Sequence, residues 1–439
     1  MTLLLKKNDL EVRIKIKKAR IGVIGLGYVG LPLALTYIDK GFKVLGLDSN
    51  VNKLNLLSNG KSYIKDVPDQ VIKEALLKEK IQFSSDMALI SECDVIVVCV
   101  PTPLKEQTKE PDLSYIREVV KQLIQFSRPN QLLILESTTN PGTTRKEVAE
   151  KIASRSELKI GENYFVTYSP ERIDPGNQNY KVYEIPKVIG GMTKECLRYG
   201  ELFYSSVVKK VHCVSSPEIA ETAKLLENTY RYINLAFINE MALHCRELNI
   251  DIWEVIDASS TKPFGFQKFY PGPGVGGHCI PVDPIYFKWV ANNLNLKTEL
   301  IDLAIEINTR IPELIVQKTK ELIREPSGKV LIVGMAYKKN VNDYRESPAL
   351  DILEKLSSAG IHTDYYDPLI GNIQLTKEGE AIQSVLLNKD SLTMYDIIII
   401  HTDHDEINYK LLENTKATII DTRNVLRRKN IKPLNLVNL

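Results

Sequence analysis

An α/β protein with two doubly wound, mainly parallel sheets joined by a long central helix and a mainly helical middle domain is the fold class this sequence predicts, on three observations. Near the start, the apolar run 21–24 enters Gly25-x-Gly27-x-x-Gly30, then residues of helical character, then a second apolar run closed by Asp48. Far downstream the pattern recurs: 329–333 repeats the opening run, 362–367 echoes the Asp48 strand, 395–400 echoes 94–100, and 417–421 echoes 131–136. Between the two sets, helical periodicity starts at Ser216-Pro217-Glu218 and runs to about Leu248. A capping hydroxyl, a proline at the first helical position and an acid in the first turn make that a good helix start.

Taken in order, residues 1–20 carry Lys6, Lys7, Arg13, Lys15, Lys17, Lys18 and Arg20 among Leu, Val and Ile. They read as a solvated basic extension, with a weak membrane-surface or partner contact as the alternative. Residues 21–212 read as a Rossmann-like domain for a dinucleotide. In a strand-turn-helix setting Gly25 permits the tight turn, Gly27 lets the main chain approach a pyrophosphate, and Gly30 allows close helix-to-strand packing, with Tyr28 and Val29 completing the loop. The helix N-terminus offers unpaired N–H groups to the phosphates. Asp48 is placed to accept hydrogen bonds from ribose hydroxyls and would repel a 2′-phosphate, which favours NAD over NADP. The runs 94–100 and 131–136 fit parallel strands covered on both faces. Their carboxyl ends, Pro101-Thr102-Pro103 and Ser137-Thr138-Thr139, are expected to face the cofactor.

Residues 213–324 are expected to form the helical middle. On its long helix Glu221, Lys224, Asn228 and Arg231 fall at spacings that share one face. A solvated charged stripe is the default reading of such a pattern; the functional one has Lys224 and Asn228 lining a crevice. Further on, Tyr270-Pro-Gly-Pro-Gly274-Val-Gly-Gly-His278-Cys279 presents a cysteine from a loop so rich in Gly and Pro that no regular element accommodates it. Such a loop can be tightly folded and approach a ligand closely, and suits a nucleophile, although a small apolar role for Cys279 is equally open on the loop alone. Residues 325–439 hold the second sheet, whose glycine loop keeps only Gly334, better suited to one nucleotide moiety than to a dinucleotide. His401-Thr-Asp-His404-Asp405 has metal-like residues but follows an apolar strand and reads as an ordinary loop; no metal is expected.

With 439 residues, two or three domains are expected. The 57 Lys and Arg nearly balance the 55 Asp and Glu, so no global field argues for nucleic acid or an anionic membrane. Six scattered cysteines without metal-type spacing read as a reduced, cytosolic set, with Cys93, Cys99 and Cys245 in apolar or helical contexts that point to burial. The N-terminus does not read as a signal peptide, and no segment reaches the length of a membrane span.

Five motifs in order, the Gly25–Gly30 loop, Ser169-Pro-Glu171-Arg172-Ile-Asp-Pro-Gly176, the Lys224/Asn228 helix, the Cys279 loop and 338–348 with Arg345, resemble the UDP-glucose/GDP-mannose dehydrogenase family over nearly the whole chain from about residue 20. The resemblance implies two Rossmann-like domains, a helical dimerising middle, and oxidation of a nucleotide sugar at C6 from alcohol to carboxylate with two NAD⁺, for surface polysaccharide or glycan precursors. It implies that Cys279 is the nucleophile, that Lys224 and Asp283 handle protons or orient the hydrolytic water, and that Asn228 holds an oxyanion. Glu171 and Thr138 match positions near the reacting carbon and its water. Arg345 matches one that binds the nucleotide sugar, and Arg172, Arg231, Tyr270 and Gly274 belong to the same substrate-binding set. Each has an ordinary alternative: Asp283 as a turn residue between two prolines, Glu171 paired with Arg172, Arg345 paired with Asp343 or Glu346. The Pro271-Gly-Pro-Gly lead-in, 261–266 and Asn239-Glu240 resemble the N-acetylhexosamine branch, most closely UDP-N-acetylglucosamine 6-dehydrogenases, with the mannosamine and galactosamine epimers and UDP-glucose as alternatives. A two-electron hydroxyacid dehydrogenase would need Lys224 but not Cys279, and a silent nucleotide-sugar-binding protein would need neither. A homodimer or higher homo-oligomer in the cytoplasm is expected.

Overall fold

The computed structural model describes residues 10–64, 67–172, 180–277, 279–323, 325, 327–375 and 381–438. The chain divides into two compact units, one of residues up to 227 with 285–295, the other of 228–284 with 296–439.

The first unit is built on β1 (Arg20–Ile24), β2 (Lys43–Leu47), β3 (Ile81–Ser84), β4 (Val95–Val98), β5 (Gln131–Leu135), β6 (Tyr164–Tyr168), β7 (Lys187–Gly191) and β8 (Val211–Val214). They form one sheet in the order β3-β2-β1-β4-β5-β6-β7-β8, parallel throughout except between β6 and β7. In register, Ile21 stands between Val44 and Val95, so chain order reverses on either side of β1 and opens a crevice at the carboxyl ends of β1 and β4. Residues 10–15 form α1. The other helices are α2 (Gly30–Asp39), α3 (Val51–Ser58), α4 (Asp69–Leu77), α5 (Ser114–Phe126), a π-helical turn Thr144–Ala149 running into α6 (Glu150–Ile152), and α7 (Lys194–Ser205).

The expectation of a solvated extension is overturned for the described part of residues 1–20. Leu10 and Ile14 lie one turn apart on a single face of α1 and are buried in the same core as Ile21, Phe42 and Phe203. Arg13 pairs with the buried Asp94 at 2.7 Å, and Glu11 with Arg198 at 2.8 Å. Burial of two such side chains stabilises by about 1.5–3 kcal/mol each, so the basic residues decorate a helix that belongs to this unit.

The chain crosses between units within α8 (Pro217–Glu247) and α10 (Asp283–Asn293), with α9 (Ile252–Ser260) between them and α11 (Glu299–Leu322) following. α8 begins where the sequence predicts, with Ser216 Oγ accepting from Ile219 N at 3.4 Å. The second unit contains β9 (Lys329–Val333), α12 (Pro348–Ser358), β10 (His362–Tyr366), the short antiparallel pair β11 (Asn372–Ile373) and β12 (Ile382–Gln383), β13 (Ile397–Ile400), β14 (Thr418–Asp421) and β15 (Leu436–Asn438). Its parallel sheet runs β10-β9-β13-β14-β15, matching β2-β1-β4-β5-β6 strand for strand. The weak internal repeat is therefore a true repeat of topology. Both faces are covered: Val330, Ile332 and Ile399 pack with α11 and α12, while Leu331, Val333, Ile398 and Ile400 form a separate cluster with Leu412 and Leu426. That two-sided burial is why these strands are continuous apolar runs.

Candidate active site

The three glycines of the first loop meet different surroundings. Gly25 has φ +91°, and a Cβ there would lie 2.6 Å from Cys99 O; a Cβ on Gly30 would lie 1.8 Å from Gly25 O. Over Gly27 there is no atom within 4 Å of the corresponding point. The outer two are thus required by packing, and the middle one leaves the backbone open. α2 starts at Gly30 behind Val29 with no side-chain cap and no acid in its first turn, so its positive end is left for an anion. Tyr28 and Val29 are half-buried beside it. Asp48 is half-buried; its Oδ2 accepts from Leu26 N and its Oδ1 from Asn50 N, both at 2.9 Å, which ties the carboxylate to the loop. Pro101 is exposed, Thr102 O accepts from Tyr286 Oη at 2.9 Å, and Thr138 is half-buried at the end of β5. An open glycine backbone, an uncapped helix start and a strand-end carboxylate fit a dinucleotide.

On α8 the solvated-stripe reading fails for three of its four members. Glu221 is fully buried and receives Gly142 N at 2.6 Å, Thr144 N at 2.8 Å and Thr144 Oγ1 at 2.6 Å, anchoring the loop that follows Thr138. Burial raises its pKa, against the pull of these donors. Lys224 is buried and donates to Glu171 O at 2.7 Å; Asn228 is buried, and only Arg231 is exposed. Glu171 does not pair with the Arg172 guanidinium. Its Oε2 lies 3.2 Å from Lys187 Nζ and its Oε1 accepts Arg172 N at 2.7 Å, while Arg172 reaches Glu227 at 2.7 Å and Pro186 O at 2.9 Å. Lys187 Nζ also lies 2.5 Å from Glu136 Oε2, and Tyr204 Oη donates to Glu136 Oε1. Sequence reasoning missed Lys187 and Glu136, since neither stands in a motif.

In the second unit Asn228 Nδ2 donates to Asp283 Oδ2, and both side chains are buried. Asp283 opens α10 and is no turn residue; its N–H bonds Cys279 O at 2.9 Å, which sets Cys279 one helical turn before it. Cys93, Cys99, Cys196 and Cys245 are buried, Cys213 is half-buried, and Cys279 alone of the six is exposed. Tyr270 stacks on Trp253 with ring centroids 4.9 Å apart. On the side where a side chain would stand, the glycines of the loop face the protein's own atoms. A Cβ on Gly272 would meet Arg423 at 2.7 Å, on Gly274 (φ +121°) Pro348 at 3.0 Å, on Gly276 Glu346 O at 2.5 Å, and on Gly277 (φ +89°) the Tyr337 ring at 2.7 Å. Asn239 Oδ1 accepts Gly272 N at 3.0 Å, and its amide reaches the buried Asn308 at 3.3 Å, another residue that no motif announced. Arg345 is exposed and forms a two-point pair with Asp343 at 2.7 and 2.9 Å, as one sequence alternative had it. His278 and residues 173–176 lie outside the described residues.

Asp367 takes the place of Asp48 in the second sheet but is buried. It accepts Met335 N at 2.7 Å, Leu369 N at 2.8 Å and Ile370 N at 3.1 Å, and His404 Nε2 lies 3.1 Å away. Because Asn340 N–H donates to His404 Nδ1 at 2.9 Å, the proton on Nε2 points at Asp367. Burial opposes ionisation of Asp367, yet His404 and these donors hold its pKa below the ordinary value. This carboxylate braces its own loop and has no lone pair left over for a ribose.

The fold and the first loop define a dinucleotide-binding protein with a second Rossmann-like domain. Family models match along the chain: the NAD binding domain of the UDP-glucose/GDP-mannose dehydrogenase family at residues 19–208, its central domain at 218–310 and its UDP binding domain at 331–428. Among similar proteins, a UDP-N-acetyl-D-mannosamine dehydrogenase of Campylobacter jejuni is 33% identical over 88% of this chain and 96% of its own. A UDP-N-acetyl-D-glucosamine 6-dehydrogenase of Pseudomonas aeruginosa is 33% identical over 91% and 94%. The solved structure of a UDP-D-ManNAc dehydrogenase from Pyrococcus horikoshii superposes with a TM-score of 0.83 at 30% identity, covering 95% of this chain and 98% of that one. The chain belongs to the UDP-glucose/GDP-mannose dehydrogenase family, and is an NAD-dependent UDP-sugar dehydrogenase.

Proposed function

We propose that the protein oxidises a UDP-N-acetylhexosamine, most closely UDP-N-acetylglucosamine, at C6 to the uronic acid. The observation that carries this reading is Cys279: the one exposed cysteine of the six, on a loop held by its own chain, one turn before the buried Asp283. NAD⁺, when bound, accepts a hydride in each of two oxidations. Gly25, Gly27, Tyr28, Val29 and Gly30 would hold its pyrophosphate, Asp48 its ribose, and Pro101, Thr102 and Thr138 would border it. In the first oxidation the alcohol gives up its C6 hydride and its hydroxyl proton, leaving an aldehyde. The Cys279 thiolate then adds to the aldehyde carbon, and protonation of the oxygen gives a thiohemiacetal. Loss of a second hydride and proton leaves a thioester. Water adds to it, passing a proton to a base, and cleavage of the C–S bond returns the thiolate and releases the acid.

Lys224 and Asp283 serve the proton transfers or orient the water, Asn228 holds the developing oxyanion, and Glu171 with Thr138 stands by the water. Arg172, Arg231, Tyr270, Gly274 and Arg345 bind the nucleotide sugar. The mannosamine epimer is the second reading, favoured by the name of the Campylobacter relative. The exposed Ile219, Leu226, Tyr230 and Phe237 recur at seven- and four-residue steps along α8, and this apolar stripe supports a homodimer. No described helix is long and apolar enough to cross a membrane, and a cysteine set that is mostly buried is in keeping with the cytoplasm. Incubation with NAD⁺ and a panel of UDP-sugars should yield two NADH per sugar oxidised, and Cys279→Ser should stop acid formation. Acid formed by that variant at the normal rate overturns the covalent route.

A further inference from the structure

Behind Glu171, in the interior of the first unit, lies a group of ionisable side chains that no motif predicts. Glu136 leaves the end of β5 and is fully buried; Lys187 opens β7 and is also buried. Lys187 Nζ bridges the two carboxylates, 2.5 Å from Glu136 and 3.2 Å from Glu171. Tyr204 of α7 donates to the other oxygen of Glu136, and Lys187 Nζ lies 5.3 Å from the Tyr204 ring centre. Among the described residues, the cluster is also faced by Cys99 after β4, Tyr37 of α2 and, at the Glu171 carbonyl, Lys224 of α8. Two carboxylates share the Lys187 ammonium in a buried site, an arrangement whose cost falls when a further positive group or a proton joins it. Burial, together with the charge of Glu171 and against the pull of Lys187, pushes the Glu136 carboxyl up to about 7. Burial also works against the Lys187 ammonium, but the two carboxylates outweigh it and raise its pKa.

We propose that Lys187, itself held by Glu136 and Tyr204, is the positioning residue that fixes the Glu171 carboxylate and keeps it ionised for the hydrolytic step. This rests on the reading of Glu171 as a group beside the reacting carbon's water. Lys187 is itself buried, and Glu136 competes with Glu171 for the same ammonium. The strength of the Glu171 base is therefore set by how Lys187 divides between two carboxylates. If Glu136 is made neutral, Lys187 serves Glu171 alone and the carboxylate persists to lower pH. If both Lys187 and Glu136 are neutral, Glu171 loses the Lys187 ammonium from its Oε2 and requires higher pH to ionise than in Glu136→Gln.

The test is the pH dependence of kcat for acid formation in Glu136→Gln and in the double variant Lys187→Met/Glu136→Gln. Both avoid stranding a buried charge pair, whereas Lys187→Met alone leaves two carboxylates facing each other and is expected to fold poorly. Glu136→Gln should move the acidic limb of the profile to lower pH, and the double variant should move it upward by about one unit or more relative to Glu136→Gln. KM for the sugar should stay within about threefold, because both side chains are buried away from the surface. Folded variants whose acidic limbs coincide with that of the wild type overturn the proposal. Glu171→Gln serves as the control for the underlying reading: full acid formation by that variant removes the role of Glu171, while its loss beside unmoved limbs refutes Lys187 positioning alone.

Discussion

Gly27 and Gly30 stand three residues apart in the same loop, and alanine at each should fail in a different way. At Gly30 the added carbon would lie 1.8 Å from Gly25 O, so the loop or α2 must shift by more than an ångström against main chain that has no rotamer to change. Overpacking of this kind costs about 1–3 kcal/mol, offset by up to about 1 kcal/mol from the better helix propensity of alanine. A net loss of about 2 kcal/mol corresponds to about 4–8 °C in the melting temperature of a unit of this size. At Gly27 there is no atom to meet within 4 Å, and its φ is not positive. Alanine there should leave the apoprotein as stable as the wild type or raise it by about 0.4–1 kcal/mol through the unfolded chain. The same methyl stands where a pyrophosphate must approach, so NAD⁺ affinity should fall tenfold or more, about 1.4 kcal/mol. Apoprotein melts and calorimetric titration with NAD⁺ measure the two effects separately. A Gly27→Ala protein that binds NAD⁺ like the wild type, or a Gly30→Ala protein that melts with it, refutes this division of labour.

Two further outcomes follow from the packing. Ile14→Ala should destabilise the first unit by about 2–5 kcal/mol, the cost of a cavity in a buried core, read as the denaturation midpoint; a change below about 0.5 kcal/mol would return residues 10–19 to the status of a solvated arm. Leu226→Glu, which places a charge in the exposed apolar stripe of α8, should shift the protein towards monomer in sedimentation, and an unchanged mass would move the self-association elsewhere.

Much of the architecture was legible because its signals are periodic. The strands of both sheets are buried on two faces and so appear as unbroken apolar runs, and the helix start at Ser216-Pro217-Glu218 is local chemistry that needs no partner. Long-range pairing was not legible. Lys187 meets Glu136 and Glu171 across 51 and 16 positions, and nothing in the sequence joins them. The same blindness made Glu221, Lys224 and Asn228 look like a wetted face: a charge at helical spacing is solvated by default until its buried partner is known. For Glu221 those partners are the backbone donors of a loop some 77 to 79 residues away. α1 was missed for a different reason, since a two-residue apolar stripe among many lysines and arginines is too short to stand out from a basic tail.

The glycines around Cys279 have a consequence for anyone who reads or rebuilds this loop. Gly272, Gly274, Gly276 and Gly277 are each pressed against Arg423, Pro348, Glu346 or Tyr337. Their spacing is thus an imprint of the neighbouring polypeptide. Transplanting 270–279 into a relative with another specificity would carry half of a matched pair. The graft should keep its shape only when the stretch 337–348 and Arg423 travel with it, so the heritable unit here is a loop together with its mould.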